Sequence, residues 1–177
     1  MLARALTAAL LLAMPAAAAA KKPRITSAYT KLNWDKCKTV RSGDQEGLDW
    51  ELRRCTGYAH NPIFWAYDDE RDDLDAGVEN QAGFLEGPMH HLGNVVEWRL
   101  ADGRPFAIIY RAETSPYNGE WPNGRWSRLI VETVGRPGKP GCPIAKFDAL
   151  KRNANVAARK AADAVLSGNT HCIEFDE

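Results

Sequence analysis

Val95-Val96-Glu97-Trp98-Arg99-Leu100-Ala101-Asp102-Gly103-Arg104-Pro105-Phe106-Ala107-Ile108-Ile109-Tyr110-Arg111 is the stretch that decides the fold. Val96, Trp98 and Leu100 alternate with Val95, Glu97 and Arg99, and Phe106, Ile108 and Tyr110 alternate with Ala107, Ile109 and Arg111. A period of two places successive side chains on opposite faces of a strand. The Asp102-Gly103 pair between the two runs signals a tight hairpin, because glycine accepts the positive φ that such a turn needs. Pro105 cannot donate to a ladder, so pairing is expected to begin just beyond it.

Working outward, Trp126 to Val134 alternates in the same way and predicts a third antiparallel strand. Leu48, Trp50 and Leu52 alternate with Asp49, Glu51 and Arg53, and Pro62 to Tyr67 is rich in aromatic and β-branched side chains. Trp50, Trp98 and Trp126 are expected in the core. Lys21 to Ser27 reads as a flexible leader. The one helix candidate is Ala154 to Leu166, with Asn153 or Asn155 as its cap, Gly168 as its left-handed terminus, and Ala154, Ala158, Ala161 and Val165 on one face. Thr170 to Phe175 reads as a last short strand. The expected fold is mainly β or α+β: an antiparallel sheet, as a sandwich or partly open barrel, with one C-terminal helix and two disulfides.

Residues 1–20 read as a signal peptide. Arg4 gives the positive start and Ala5 to Met14 the apolar stretch, which is shorter than the ~20 residues a membrane-spanning helix needs. Ala18-Ala19-Ala20 offers the small side chains of a cleavage site, expected after Ala20. Residues 21–177 then form a single periplasmic or secreted domain, with no membrane anchor. The four cysteines, Cys37, Cys55, Cys142 and Cys172, suit such a compartment, where disulfides persist. Cys37–Cys55 and Cys142–Cys172 close the shorter loops and are the favoured pairing. No two cysteines lie at the close spacing of a zinc site.

The chain carries 23 basic and 23 acidic side chains. That balance argues against a nucleic-acid partner, which calls for an excess of Lys and Arg. The charge is uneven, however: residues 61–103 hold two basic side chains against ten acidic. The densest part, Asp68 to Asp75, reads as a solvated acidic turn. As a calcium loop, Asp68, Glu70, Asp72 and Glu79 would take the first, third, fifth and twelfth positions, but Asp73 stands where the sharp bend needs glycine. His90-His91 reads as surface or hydrogen-bonded rather than metal-binding. There is no nucleophile elbow, no phosphate-binding glycine loop and no identifiable carboxylate pair, and no cofactor is called for. Between Glu113 and Arg125 lies a turn-rich loop with Tyr117, Trp121, Asn123 and Arg125, side chains suited to stacking on a sugar ring or anchoring a protein partner.

The Cys37 and Cys55 pair, the run Gly93-Asn94-Val95-Val96-Glu97-Trp98-Arg99-Leu100 with its Asp-Gly turn, and Cys142 followed by a helix and Cys172 resemble small exported Gram-negative proteins of unknown function. That resemblance implies a periplasmic location and assigns no catalytic residue. The periplasmic lysozyme inhibitors are comparable in size, export and β content. Their Ser-Gly-x-x-Tyr motif is missing, since Asp44, Gln45 and Glu46 follow Ser42-Gly43. The expected function is a non-enzymatic binding or inhibitor-like module of the cell envelope, with an envelope protein or glycan as partner. The alternatives are a hydrolase of an envelope polymer and a calcium-dependent structural module.

Overall fold

The computed structural model describes residues 21–45, 48–68, 70–79, 90–114, 126–168 and 170–173. Ten strands are present among them: β1 (Ile25–Lys31), β2 (Lys38–Gln45), β3 (Leu48–Tyr58), β4 (Asn61–Asp68), β5 (Arg71–Ala76), β6 (His90–Leu92), β7 (Val95–Ala101), β8 (Arg104–Thr114), β9 (Ser127–Thr133) and β10 (Pro143–Asp148). One helix, α1 (Ala154–Ala164), follows and ends in a 3-10 turn over Val165–Ser167.

The β7–β8 hairpin sits at the centre. Asp102 (φ 49°) and Gly103 (φ 81°) both take the left-handed conformation, the twist that matches two right-handed strands. The ladder slips at one point: Arg99 faces Ala107 and Leu100 faces Pro105, which leaves Phe106 unpaired. This bulge turns Phe106 to the helix side, with Ala107 and Ile109, rather than to the side of Ile108 and Tyr110 as strict alternation predicts.

β8 carries β9 on one edge; on the other, β7 occupies its first half and β6 its second. From β7 the sheet continues to β1, and from β6 it continues through β5, β4 and β3 to β2. β10 pairs with β9. Antiparallel pairing prevails, but β5 and β6 meet in parallel at Arg71 and His90, so the sheet is mixed rather than purely antiparallel, and it is not closed. Of the expected leader over 21–27, residues 21–24 are exposed and outside any strand, while the last three belong to β1, every residue of which is paired along β7. Its side chains alternate too weakly in hydrophobicity to reveal this, because an edge strand is held mainly by its ladder.

The sheet has a core on each face. Ile63, Leu74, Val96, Trp98, Ile108 and Ile130 gather on one side, as the β3–β5 part folds over β7, β8 and β9. On the other, Phe106, Ile109, Leu129 and Val131 receive Ala154, Ala158 and Ala162 of α1. Alanines let the helix axis approach closely. Trp98 is fully buried, while Trp50 and Trp126 are only partly so. Asn153 precedes α1 in a left-handed conformation (φ 67°) with no side-chain cap bond, which corrects the expected capping role. Gly168 (φ 74°) terminates the helical segment as expected. Thr170 to Ile173 is not a strand, although the Ile173 N–H donates to the Pro143 carbonyl at 2.9 Å.

Cys37–Cys55 and Cys142–Cys172 are both bridged, closing separations of 18 and 30 residues. Loops of this length correspond to roughly 3 kcal/mol each in lost unfolded-state entropy. No helix is long and apolar enough to cross a membrane among the described residues.

Candidate functional site

The residues singled out from sequence fall into two groups. Tyr117, Trp121, Asn123 and Arg125 lie outside the described residues. Asp68, Glu70, Asp72 and Glu79 are described, and each has its own setting. Asp68 ends β4 opposite Arg71, and Glu70 sits in the turn with φ 56°. Glu79 pairs with Arg41. Asp72 accepts from Trp65 Nε1 at 2.9 Å and from the Leu92 N–H at 3.0 Å. Its two oxygens thus stitch β4 and β6 to β5. No set of three or more potential metal ligands converges among the described residues.

The acidic segment is a turn only at its start, around Glu70; from Arg71 onward it is strand β5. Leu74 and Ala76 are drawn into the core, and the strand they impose carries the aspartates with them, leaving Asp72 and Asp75 only 8% exposed. His90 is buried: its Nε2 donates to the Asp72 carbonyl at 2.9 Å, and its ring lies 5.4 Å from that of Trp126. His91, its neighbour on the strand, faces outward.

Sequence reasoning missed what lies beyond Asp72. Glu132 of β9 and Tyr110 of β8 are each 1% exposed. Among the described residues neither Glu132 Oε1 nor the Tyr110 hydroxyl meets a partner in full hydrogen-bonding geometry, although Tyr110 lies near enough to Asp73 and Glu132 to hold both carboxyls down in part. Burial drives the Glu132 carboxyl far above the usual range, and the charges of Asp75 and Asp73 push it the same way. Burial also brings Asp73 up to about 6, with Asp72 adding to it. The signal available in sequence was a single Glu within the apolar run Leu129-Ile130-Val131-Glu132.

These shifts set the sign of a pH effect. A carboxyl whose pKa is higher in the folded state stabilises most below its unfolded pKa, and that stability is lost as pH rises through the folded value. For Asp73 the loss runs from about pH 4 to pH 6 and amounts to at most about 3 kcal/mol. Glu132 extends the decline upward from its ordinary range. Glu97 acts oppositely. Burial alone would raise it, but hydrogen bonds from Arg159 and Ser27 and the charges of Arg159 and Arg99 prevail and lower it, so its contribution is lost only on acidification. The urea midpoint should fall between pH 4 and pH 7, and Asp73→Asn should flatten the lower part of that fall. A midpoint that rises across this range would contradict this order of ionisation.

Two of the protein's cavities are lined by described residues throughout. The smaller, about 360 Å³, lies at the start of α1 against β7 and β8. Tyr29, Asn94, Asn155, Arg111 and Arg159 line it together with Glu97. Its arginines already have acidic partners: Arg159 holds Glu97 at 2.7 Å, and Arg111 lies 3.7 Å from Glu113.

The larger, about 620 Å³, lies where the end of α1 meets β10. Gly168 reverses the chain, and the Cys142–Cys172 bridge fixes the returning segment beside β10. Phe106, Val134, Ile144, Val165 and Leu166 supply apolar surface, and Arg136, Lys139 and His171 supply basic groups. No carboxylate lines it among the described residues. Its volume falls within the span usual for small-molecule sites, and neither cavity is lined by Asp73, Asp75 or Glu132. Comparison with protein-family models, with curated proteins and with solved structures finds no match to this chain.

Proposed function

We propose that the protein is a non-enzymatic binding module of the cell envelope, periplasmic or secreted, with its ligand site in the 620 Å³ cleft. The observation that carries this reading is the cleft itself: concave, part apolar, walled by a disulfide and bordered by basic groups, with no carboxylate among the described residues that line it. Two disulfides suit an oxidising compartment, and the first twenty residues have the composition of an export signal. An envelope protein or a glycan remains the partner expected for the Tyr117 and Trp121 loop.

A second reading, hydrolysis of an envelope polymer, has one observation in its favour. A carboxyl brought to about 6, as for Asp73, lies where a general acid is effective near neutral pH. The two are separated by one experiment. Purified oxidised protein is incubated with cell-wall polymer, and native mass spectrometry records what it retains. Retention of a small molecule without turnover supports binding. Turnover that disappears in Asp73→Asn and survives Arg136→Ala/Lys139→Ala would replace binding by hydrolysis.

A further inference from the structure

Arg136 and Lys139 face each other directly across an antiparallel bridge. The Arg136 N–H donates to the Lys139 carbonyl and the Lys139 N–H to the Arg136 carbonyl, both at 2.8 Å, and Gly138 completes the turn at φ 76°. Residues opposed in this way project to the same side of the ladder, and like charges so placed repel. Neither side chain forms an ion pair with a described residue, and both are exposed. The backbone thus sets two basic side chains on one side of the ladder at the rim of the cleft, which His171 also lines. Apolar walls continue inward from this rim through Phe106, Val134, Val165 and Leu166.

We infer that the cleft takes an anionic amphiphile, with a carboxylate or phosphate headgroup held between Arg136, Lys139 and His171 and a short hydrocarbon portion lying along Phe106, Val165 and Leu166. This rests on the binding-module reading above and gives that site its ligand class. The headgroup relieves the repulsion between the two cations, and the tail removes apolar surface from water. Neither part alone matches both halves of the lining.

Calorimetric titration of the oxidised protein at low salt tests this, with octanoate, octyl phosphate, octyl glucoside and inorganic phosphate as probes. Octanoate and octyl phosphate should bind, with octyl glucoside and inorganic phosphate each at least about tenfold weaker, as loss of two part-exposed charge contacts or of the tail requires. Arg136→Ala/Lys139→Ala should cost the anionic amphiphiles about tenfold, leave octyl glucoside unchanged, and leave the melting temperature of the free protein equal or raised. Leu166→Gln should weaken octanoate without affecting inorganic phosphate. Equal affinity for octyl glucoside and octanoate would overturn the charge assignment and leave the binding reading standing. Retention on anionic vesicles without binding of monomeric octyl phosphate would replace the small ligand by a membrane surface. Failure of every probe, with turnover in the polymer assay, would remove both the ligand class and the binding reading.

Discussion

Trp98→Ala should lower the unfolding free energy by about 3–5 kcal/mol, the cost typical of truncating a large buried aromatic. Trp98 is fully buried at the centre of the main core. Its Nε1 donates to Thr30 Oγ1 at 2.9 Å, so the ring fastens β1 as well as filling space. Tyr58 packs at 6.1 Å between ring centroids. At Gly57 a Cβ would stand 2.9 Å from the indole, so the backbone there is closed tightly onto the ring. The surroundings cannot collapse into the void without moving three strands. Urea denaturation with both disulfides intact measures the loss. Trp98→Phe should recover part of it, since it refills much of the volume and leaves the Thr30 hydroxyl without its donor. A loss below about 1 kcal/mol for the alanine variant, the scale of an ordinary surface change, would mean that the main core is not organised around this ring.

The second large effect is expected at Glu97. Its Oε1 accepts from Ser27 Oγ at 2.6 Å and from Arg159 Nε at 2.7 Å, and its Oε2 accepts from Arg159 at 3.1 Å. Arg99, on the same face, forks onto Asp163 at 2.9 and 2.8 Å. Five side chains from β1, β7 and α1 are thereby joined beneath the helix. Glu97 is 8% exposed and Arg99 9%. Removing Glu97 takes the acceptor from Ser27 and Arg159, but the Arg159 side chain is 40% exposed and is rehydrated, so the cost stays below the about 3–5 kcal/mol of a fully enclosed pair. Glu97→Ala should cost about 2–3 kcal/mol, the scale of charged hydrogen bonds lost at a half-buried site, and Glu97→Ala/Arg159→Ala should cost less than the sum of the two single changes. Additive losses in this double-mutant cycle would show that the pair does not act as a unit.

That network marks where the sequence was legible and where it was not. The hairpin could be read because its information is local: two alternating runs, Asp102-Gly103 between them, and Pro105 beside the turn. Both disulfides could be read because loop closure favours near neighbours. Glu97 and Arg99, by contrast, carry the pattern of a solvent-facing edge, and the structure buries them. Their partners Arg159 and Asp163 are more than sixty residues further on, and nothing in a window around β7 announces a helix that will cover it. Asp72 and Asp75 mislead in the same way. Local charge density suggests water, but Leu74 and Ala76 bind the strand into the core, and the carboxylates must accept the environment their neighbours choose. The basic cleft is the extreme case. Arg136 and Lys139 are neighbours in sequence, while Phe106, Leu166 and His171 reach them only through the folded sheet, the helix terminus and a disulfide. Phe106 itself arrives by a bulge that no alternation rule anticipates.

The pairing of β1 with β7 has a consequence for the order in which the chain is completed. Ile25 must wait for Ala101 before its ladder can close, whereas each disulfide joins residues no more than 30 apart. Closing the longer span costs more entropy and slows assembly. The first described strand to emerge during synthesis is therefore among the last to find its place, and neither covalent bridge restrains it meanwhile. Until β7 is made, that ribbon is an open template for any other extended chain, so covering it until its partner strand exists is a requirement of the topology itself.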